Sequence, residues 1–299
     1  MNNFVILIPS YNDWDSLSIL IPKINHVIKK LKKNISIIII NDASSEEKEK
    51  ELKLKEKLCF ERIDVLNLLE NVKAQKAIAT ALNYLKQKEY KGGIIIMDAD
   101  GQDDPDALPE IIELSEKNPE KIITVNRTKR NESLMFKILY EIHLFITYML
   151  TFKNLRFGVY SYMHPVHLNK ILLNKDLCCA FAASIAKNFK HKNIIYSERK
   201  KRILGESKNS YWNLIYYSLS IWSVFKYKVV LHTSIMLLIF LVLLDFKFYS
   251  VVSIITLAFF NVLIFSINHK NKKFDLTNSS KNIKNVENII YGKADIHSS

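Results

Sequence analysis

The first 127 residues alternate between short apolar runs and longer segments in which apolar residues recur every three or four positions. Runs rich in Val, Ile and Leu are typical of strands buried on both faces, and the longer spacing is typical of helices. The predicted strands are Phe4–Ser10, Ile35–Ile40, Ile63–Leu68, Gly93–Met97 and Ile122–Val125. The predicted helices are Trp14–Lys33, Ser45–Leu58, Ala74–Lys88 and Pro105–Lys117. This order predicts an α/β domain, over residues 1–208, with a mainly parallel sheet covered by helices on both faces.

Two long apolar runs, Val229–Leu244 and Ser250–Ile267, follow near the C-terminus. A bilayer core of ~30 Å needs about 20 apolar residues to be crossed by a helix. Lysines precede the first run and follow the second, and cationic flanks favour the cytoplasmic side. The pattern predicts a transmembrane hairpin, about 229–247 and 249–267, with the α/β domain and both termini in the cytoplasm. A buried hairpin in a soluble core is the less favoured alternative, because such cationic flanks are unusual there.

Three further segments have a composition of their own. Residues 209–228 contain Trp212, Trp222 and several tyrosines, which predicts an interfacial amphipathic helix. The segment Leu134–Phe152 is apolar on most of its circumference, and its pattern fits a membrane surface and a protein core equally. Residues 268–299 are rich in Asn, Lys and Ser, which predicts a weakly ordered cytoplasmic tail.

Composition excludes some classes of protein. The 299 residues include only six glycines, none at the spacing of a Walker A loop or of G-x-G-x-x-G, so P-loop NTPases and standard dinucleotide-binding enzymes are ruled out. The net charge of +13 is uneven, since residues 1–120 carry −4 and residues 121–299 carry +17. The second half therefore suits an anionic partner, either a nucleic acid, a phosphorylated ligand or a membrane surface.

Five aspartates fall within nine residues after the fourth predicted strand, at positions 98, 100, 103, 104 and 106. Strand alternation points Asp98 and Asp100 the same way, and a bound cation would relieve their repulsion. Hard oxygen ligands of this kind suit Mg²⁺ or Mn²⁺ together with substrate phosphates. Polar residues also end the first two strands, and ligands of such sheets bind at the carboxyl edge. The alternative is a solvated acidic loop in which Asp103 or Asp104 caps the next helix.

Five ordered stretches resemble the family 2 glycosyltransferases, which are inverting enzymes with the GT-A fold, a Rossmann-like mixed sheet. They are Phe4–Asp13, Ile37–Ser44, Asn71–Leu82, Ile96–Asp106 and Arg199–Lys208. The chain looks closest to the membrane-anchored branch of polyprenyl-phosphate sugar transferases, similar to dolichol-phosphate mannose synthase. It departs from the family at Asn41 and at Ala43, Lys73 and Ala81, where glycines are usual.

The resemblance implies metal-dependent transfer of a sugar from a nucleotide-diphosphate sugar to a lipid-linked acceptor, a polyprenyl phosphate or a lipid-linked glycan. Such transfer would serve cell-envelope glycan synthesis at the cytoplasmic membrane face. The implied catalytic residues are Asp98, Asp100, Asp103 and Asp104, with Asp100 as the ligand of Mg²⁺ or Mn²⁺. The implied nucleotide-sugar-binding residues are Pro9, Tyr11, Asp13, Asp42, Lys73, Gln75, Asp98 and Gln102. The implied residues for diphosphate or acceptor phosphate are Arg127, Arg199, Arg202 and Lys208.

The general base is the weak point of this resemblance. Many relatives carry an aspartate in a G-D-F-R-type element, whereas the corresponding stretch Arg156–Tyr162 has none, and no carboxylate occurs between Glu141 and Asp176. Asp103 or Asp104 could serve as the base. Alternatively no base is needed, because a phosphate acceptor is already ionised, and the gap favours this reading.

Two other functions remain as alternatives. A catalytically decayed, membrane-tethered nucleotide-sugar-binding relative is favoured by the lost glycines and opposed by the intact Asp98 and Asp100. A nucleic-acid binder is ranked last, because the basic residues flank the apolar runs and lack interleaved aromatic side chains. The sequence leaves homo-oligomerisation open.

Overall fold

The computed structural model describes residues 2–45, 52, 58–128, 134–173, 175–204, 211–243 and 248–291. In these ranges one sheet contains eight strands, in the spatial order β7-β5-β6-β4-β1-β2-β3-β8. They are β1 (Asn3–Ser10), β2 (Asn34–Asn41), β3 (Arg62–Leu68), β4 (Gly93–Ile96), β5 (Ile122–Arg127), β6 (Phe157–Met163), β7 (Lys192–Ser197) and β8 (Ile283–Tyr291). Only β6 and β8 run antiparallel to their neighbours, so the predicted mixed, mainly parallel sheet is confirmed.

The helices over the same ranges are α1 (Trp14–Ile28), α2 (Ala74–Gln87), α3 (Leu108–Lys117), α4 (Leu134–Thr151), α5 (Leu168–Leu173), α6 (Phe181–Asn188), α7 (Tyr211–Val224), α8 (Lys226–Leu243) and α9 (Phe248–Lys272). The first predicted helix ends at Ile28, five residues earlier than expected. The predicted helix over Ser45–Leu58 lies almost wholly outside the described residues. A 3₁₀ turn at Pro105–Ala107 precedes α3, as its proline favours.

Two apolar cores lie on opposite faces of the sheet. Alternation along β1 sends Val5 and Leu7 into one core and Phe4, Ile6 and Ile8 into the other. The first core also contains residues of α2, α5, α6 and α7, and the second contains residues of α1 and α3. With both faces covered, the loops at the carboxyl ends of the strands are left accessible.

The C-terminal segment corrects one prediction. Residues 268–291 are not a weakly ordered tail, because α9 continues to Lys272 and β8 pairs with the edge strand β3. The polar composition misled the prediction, since main-chain hydrogen bonds to an open edge need no apolar sequence. Polar pairs across the strands add to this, such as Asn288 donating to Asp64 at 2.8 Å. The predicted 1–208 domain therefore recruits a strand from beyond the apolar helices.

Of the two predicted spans, the segment Val251–Lys272 of α9 is long and apolar enough to cross a membrane. The other helix, α8, qualifies only when it is counted with α7 as one span, and the two are bent by 94° at their junction. The segment 134–152, which the sequence left open, has two faces. Thr147 and Thr151 of α4 are buried, while side chains such as Ile142 and Phe145 are exposed.

Candidate active site at the carboxyl edge of the sheet

Three loops meet where β1, β2 and β4 end. The loops after β1 and β2 are joined by main-chain and side-chain hydrogen bonds, with Asp42 N–H donating to Ser10 O at 2.9 Å and Asn12 N–H donating to Ser44 Oγ at 3.0 Å. The loop after β4 begins beside β1, with Met97 N–H donating to Leu7 O at 3.1 Å. The structure thus brings together the polar strand ends, as the sequence predicts.

The loop Asp98–Asp104 gives each of its carboxylates a different task. Asp103 is buried and accepts a hydrogen bond from Asp98 N–H at 3.0 Å, and Asp100 accepts one from Gln102 N–H at 3.0 Å. Asp104 accepts from Asp106 N–H at 3.2 Å and so caps the 3₁₀ turn. Asp104 therefore caps the turn before α3, as one alternative from the sequence predicts. The carboxylates of Asp100 and Asp103 instead bind main-chain N–H groups within the loop.

A mostly buried arginine lies next to this loop. The Arg127 side chain, at the end of β5, places Nη2 3.7 Å from Asp98 Oδ2 and 3.5 Å from Asp103 Oδ1. Tyr140 of α4 and Tyr217 of α7 lie close enough to Arg127 to affect its pKa. The predicted phosphate-binding residue Arg127 thus lies between the acidic loop and the apolar helices.

Residues 199–204 form a strap that crosses the acidic loop. Its main chain donates from Lys200 N–H to Gln102 O and from Ile203 N–H to Asp100 O, both at 3.0 Å. The side chain of Arg199 donates to that of Gln102, and Lys200 Nζ lies 3.0 Å from Asp104 Oδ2. The strap is therefore fixed to the loop along its length.

Arg202 of this strap bridges two predicted ligand-binding carboxylates. Its Nη2 lies 2.5 Å from Asp13 Oδ1 and its Nη1 lies 3.4 Å from Asp100 Oδ2. The resemblance implies that Arg199 and Arg202 meet phosphate. In this structure they meet Gln102, Asp13 and Asp100, so a diphosphate would compete with these groups for the N–H donors of the two arginines.

The acidic loop also shifts proton affinities. Burial, followed by repulsion from Asp103 and Asp100, raises the pKa of Asp98 to about 7, although Arg127 and Arg199 oppose the shift. Burial and the neighbouring Arg127 lower the pKa of Arg199. Perturbed groups of this kind concentrate at functional sites.

Asp42 is the centre of a second arrangement. Its carboxylate is buried and accepts Val72 N–H at 2.8 Å and Lys73 N–H at 2.9 Å. Burial raises the pKa of Asp42 to about 6, against the opposing effect of these two hydrogen bonds. Asp42 therefore holds the turn before α2, and its contact with a nucleotide stays a prediction.

The remaining predicted site residues are spread more widely. Pro9 is half-buried in β1 and Tyr11 is exposed just after it, both near the carboxyl end of this strand. Gln75 accepts a hydrogen bond from Phe181 N–H at 2.6 Å and so joins α2 to α6. Lys208 lies outside the described residues.

A divalent cation fits only part of this arrangement. No group of three His, Cys, Asp or Glu side chains suited to a metal occurs in the described parts of the chain. Asp100 and Gln102 present oxygen atoms at the same loop, and Mg²⁺ commonly uses one or two carboxylates plus substrate phosphates. The residues therefore fit a metal that arrives with a diphosphate.

The sequence did not single out several residues that build the site. Tyr160 donates its hydroxyl to Asp104 O at 3.1 Å, and Gly158 of β6 lies under the Arg127 guanidinium. Asn12 and Ser44 join two loops. A glycine inside a strand is a signal of close approach by another group, so Gly158 could have been found in advance.

Comparison with known proteins gives the family. The sequence profile of glycosyl transferase family 2 matches residues 5–179. The undecaprenyl-phosphate 4-deoxy-4-formamido-L-arabinose transferase of Photorhabdus laumondii is 27% identical over 216 residues, 70% of this chain and 64% of that protein. Its counterpart in Yersinia enterocolitica is 27% identical over 213 residues, covering 70% and 63%. The matches thus span less than two thirds of these relatives.

Solved structures agree on the fold. The glucosyl-3-phosphoglycerate synthase of Mycobacterium tuberculosis, in complex with Mn²⁺, UDP-glucose and phosphoglyceric acid, matches with a TM-score of 0.51. The match covers 76% of this chain and 80% of that one at 10% identity, which shows a shared fold alone. Since the family profile covers more than half of the sequence and the motifs occur in the predicted order, this chain belongs to glycosyl transferase family 2.

Proposed function

We propose that this protein transfers a sugar from a nucleotide-diphosphate sugar to a phosphate-bearing, lipid-linked acceptor at the cytoplasmic face of a membrane. The observation that carries the proposal is the position of Arg127. It is a mostly buried cation between the acidic loop and the apolar helices α4 and α7, which bring Tyr140 and Tyr217 near it. A cation in that position favours an anionic acceptor that approaches from the helices.

The chemistry of transfer explains why the charge of the acceptor matters. An acceptor oxygen attacks the anomeric carbon with its electron pair, and the bond from that carbon to the diphosphate oxygen breaks. The nucleoside diphosphate leaves with the bonding electrons. A hydroxyl acceptor must also give up a proton to a base, whereas an ionised phosphate has none to lose. The absence of a carboxylate between Glu141 and Asp176 suits the second case.

On the donor side, Asp100 and Gln102 would hold Mg²⁺ or Mn²⁺, which supplies charge neutralisation for the departing diphosphate. Arg199 and Arg202 would turn from Gln102 and Asp13 to the phosphates. The M. tuberculosis structure that shares the fold contains Mn²⁺ and UDP-glucose, and this supports a similar donor here. The names of the sequence relatives support a polyprenyl phosphate as the acceptor.

The packing of α8 and α9 supports a membrane hairpin. Lys226, at the start of α8, donates to Asn268 near the end of α9 at 3.1 Å. One step further from the domain, Asn261 donates to Thr233 at 3.1 Å, so the helices pack antiparallel. With 18 and 25 residues they are about 27 and 38 Å long, close to the ~30 Å bilayer core.

The return of the chain to the domain supports an even number of crossings. Lys272, at the end of α9, lies 2.5 Å from the buried Asp176, and β8 then joins the sheet. If α9 crosses the membrane, α8 must cross as well, because α8 begins and α9 ends on the same side. Both ends of the hairpin would therefore lie with the catalytic domain in the cytoplasm.

The helix α4 supports a membrane surface beside the site. Its outer face exposes Leu134, Met135, Ile138, Leu139, Ile142, Phe145, Tyr148 and Met149. Its inner face is attached to the other apolar helices, with Trp222 donating to Thr147 at 2.9 Å and His232 donating to Leu150 O at 2.8 Å. An exposed apolar face of this size marks an interaction surface, and its continuity with α8 favours lipid.

The test is a transfer assay with purified protein in lipid nanodiscs. Radiolabelled nucleotide sugars would be supplied with Mg²⁺ or Mn²⁺ and either undecaprenyl phosphate or undecaprenol. We expect label in the lipid fraction with the phosphate and none with the alcohol. Label on undecaprenol would refute a phosphate-selective acceptor site.

Two matched variants test whether transfer depends on Asp100. Asp100→Ala should abolish transfer, whereas Asp106→Ala should retain it, because Asp106 is exposed on the same loop. Binding of a donor without turnover by the wild type would support the alternative, a decayed binding relative.

A further inference from the structure

Gly158 lies in β6 directly against the guanidinium of Arg127. A Cβ atom at position 158 would be 2.6 Å from Arg127 Nη2, 3.0 Å from Cζ and 3.4 Å from Nη1. Non-bonded heavy atoms normally keep about 3.5–4.0 Å apart. Any side chain at this position would therefore push the guanidinium from its place.

A left-handed backbone conformation does not explain this glycine. Its backbone lies outside the left-handed region, and β6 is an inner strand with β4 on one side and β5 on the other. A glycine inside a strand marks a bulge or the close approach of another group, and the pairing of β6 with β5 does shift register between Phe157 and Ser161. All three of the nearest atoms belong to Arg127, which identifies the approaching group.

In the position that Gly158 leaves free, the guanidinium of Arg127 can donate hydrogen bonds to a phosphate. Arg127 is 3.5 Å from Asp103 and 3.7 Å from Asp98, distances of ion pairs and longer than good hydrogen bonds. A phosphate can thus compete for its N–H groups. The stretch Arg156–Tyr162 around Gly158 adds no further carboxylate to the two that already face the cation.

We propose that Gly158 is a positioning residue that selects a phosphate-bearing acceptor by leaving room for the guanidinium of Arg127. This inference rests on the proposed function, since it names how that site distinguishes its acceptors. The nearest atoms that the new Cβ would meet all belong to one side chain, so Gly158→Ala should fold, with a loss of stability limited to the ion pairs of Arg127, and should lose acceptor recognition.

The test combines four variants in the nanodisc assay, with undecaprenyl phosphate varied at saturating donor. They are Gly158→Ala, Arg127→Lys, the double variant, and Ser161→Ala as a control on the same strand, whose Oγ donates to Val159 O. For Gly158→Ala we expect a rise in acceptor KM or a fall in kcat/KM of about 10- to 100-fold, the range for losing one hydrogen bond to a charged group. Donor KM should be unchanged, and Ser161→Ala should behave as the wild type.

The double variant shows whether the effect passes through the guanidinium. A lysine at position 127 lacks the Cζ and Nη atoms that a Cβ would meet, so adding Gly158→Ala to Arg127→Lys should have no further effect. The inference is overturned if Gly158→Ala matches the wild type, or if it costs the same in both backgrounds.

A second measurement keeps the inference testable apart from the proposed function. Thermal unfolding of the same four proteins should show coupling between positions 158 and 127, and additive shifts would overturn the inference. A wild type that transfers no sugar to undecaprenyl phosphate would instead overturn the proposed function and with it the selectivity, while the unfolding data still decide the position of Arg127.

Discussion

Two residues adopt backbone conformations that suit glycine, at positions where the family usually has one. Lys73 has φ 73° and ψ 152°, and Ala43 has φ 52°. Both lie at the turns that Asp42 holds, since Lys73 N–H donates to its carboxylate. We predict that Lys73→Gly and Ala43→Gly each raise the free energy of unfolding.

The magnitude follows from the backbone geometry. The conformation of Lys73 is almost restricted to glycine and costs about 1–3 kcal/mol for other residues. Glycine also destabilises the folded state by roughly 0.5–1 kcal/mol, because the unfolded chain has more conformational freedom at a glycine. The net gain is about 1–2 kcal/mol for Lys73→Gly. For Ala43→Gly it is about 0.5–1 kcal/mol, from a left-handed cost of about 1–2 kcal/mol.

The third lost glycine supplies a control of opposite sign. Ala81 is buried inside α2, where glycine costs about 1 kcal/mol relative to alanine, so Ala81→Gly should destabilise the protein. The assay is thermal unfolding in detergent without ligand, in which a gain of 1 kcal/mol raises Tm by about 2–4 °C for a domain of this size. A fall in Tm for Lys73→Gly would refute the reasoning.

Three further predictions concern charged groups. Because the pKa of Asp42 is raised to about 6 in the folded protein, its protonated form is favoured there, and stability falls as pH rises from about 4 to about 6. The loss is at most about 3 kcal/mol at ~1.4 kcal/mol per unit; unfolding of the wild type against Asp42→Asn measures it, and equal pH slopes would contradict it. Arg202→Gln should tighten binding of Mn²⁺ alone by about tenfold, by freeing Asp100, and weaken binding of UDP with Mn²⁺ by a similar factor. Calorimetric titration tests this, and changes in the same direction would count against partner exchange. Asp176→Asn should lower the free energy of unfolding by about 2–3 kcal/mol. This is below the 3–5 kcal/mol of a fully buried pair, because Lys187 and Lys272, the two ion-pair partners of Asp176, keep some contact with water. An unchanged Tm would contradict it.

Sequence reasoning reached the strands and the acidic loop because both depend on local pattern. The run Gly93–Met97 and the aspartates after it predict a strand end with converging carboxylates, and the structure has both. It could not assign partners to the arginines. Which carboxylate Arg202 meets depends on how the strap crosses the loop, a distance of 102 residues along the chain.

The sequence motifs also do not distinguish residues that bind a ligand from residues that join two helices. Gln75 matches the family pattern, yet its side chain accepts Phe181 N–H between two helices. The strand β8 was not predicted, because its pairing is made by the main chain and the apolar residues among 283–291 do not alternate with polar ones. In both cases the deciding contact joins residues more than 100 positions apart.

The position of β8 sets an order of events during synthesis. The edge of β3 is complete only when residues 283–291 have left the ribosome, after both apolar helices have been made. Until then β3 presents unpaired main-chain groups, the kind of open edge that recruits other strands. If α8 and α9 form the proposed membrane hairpin, they can therefore insert before the last strand docks, and a nascent chain held up at that stage would be exposed to aggregation and proteolysis.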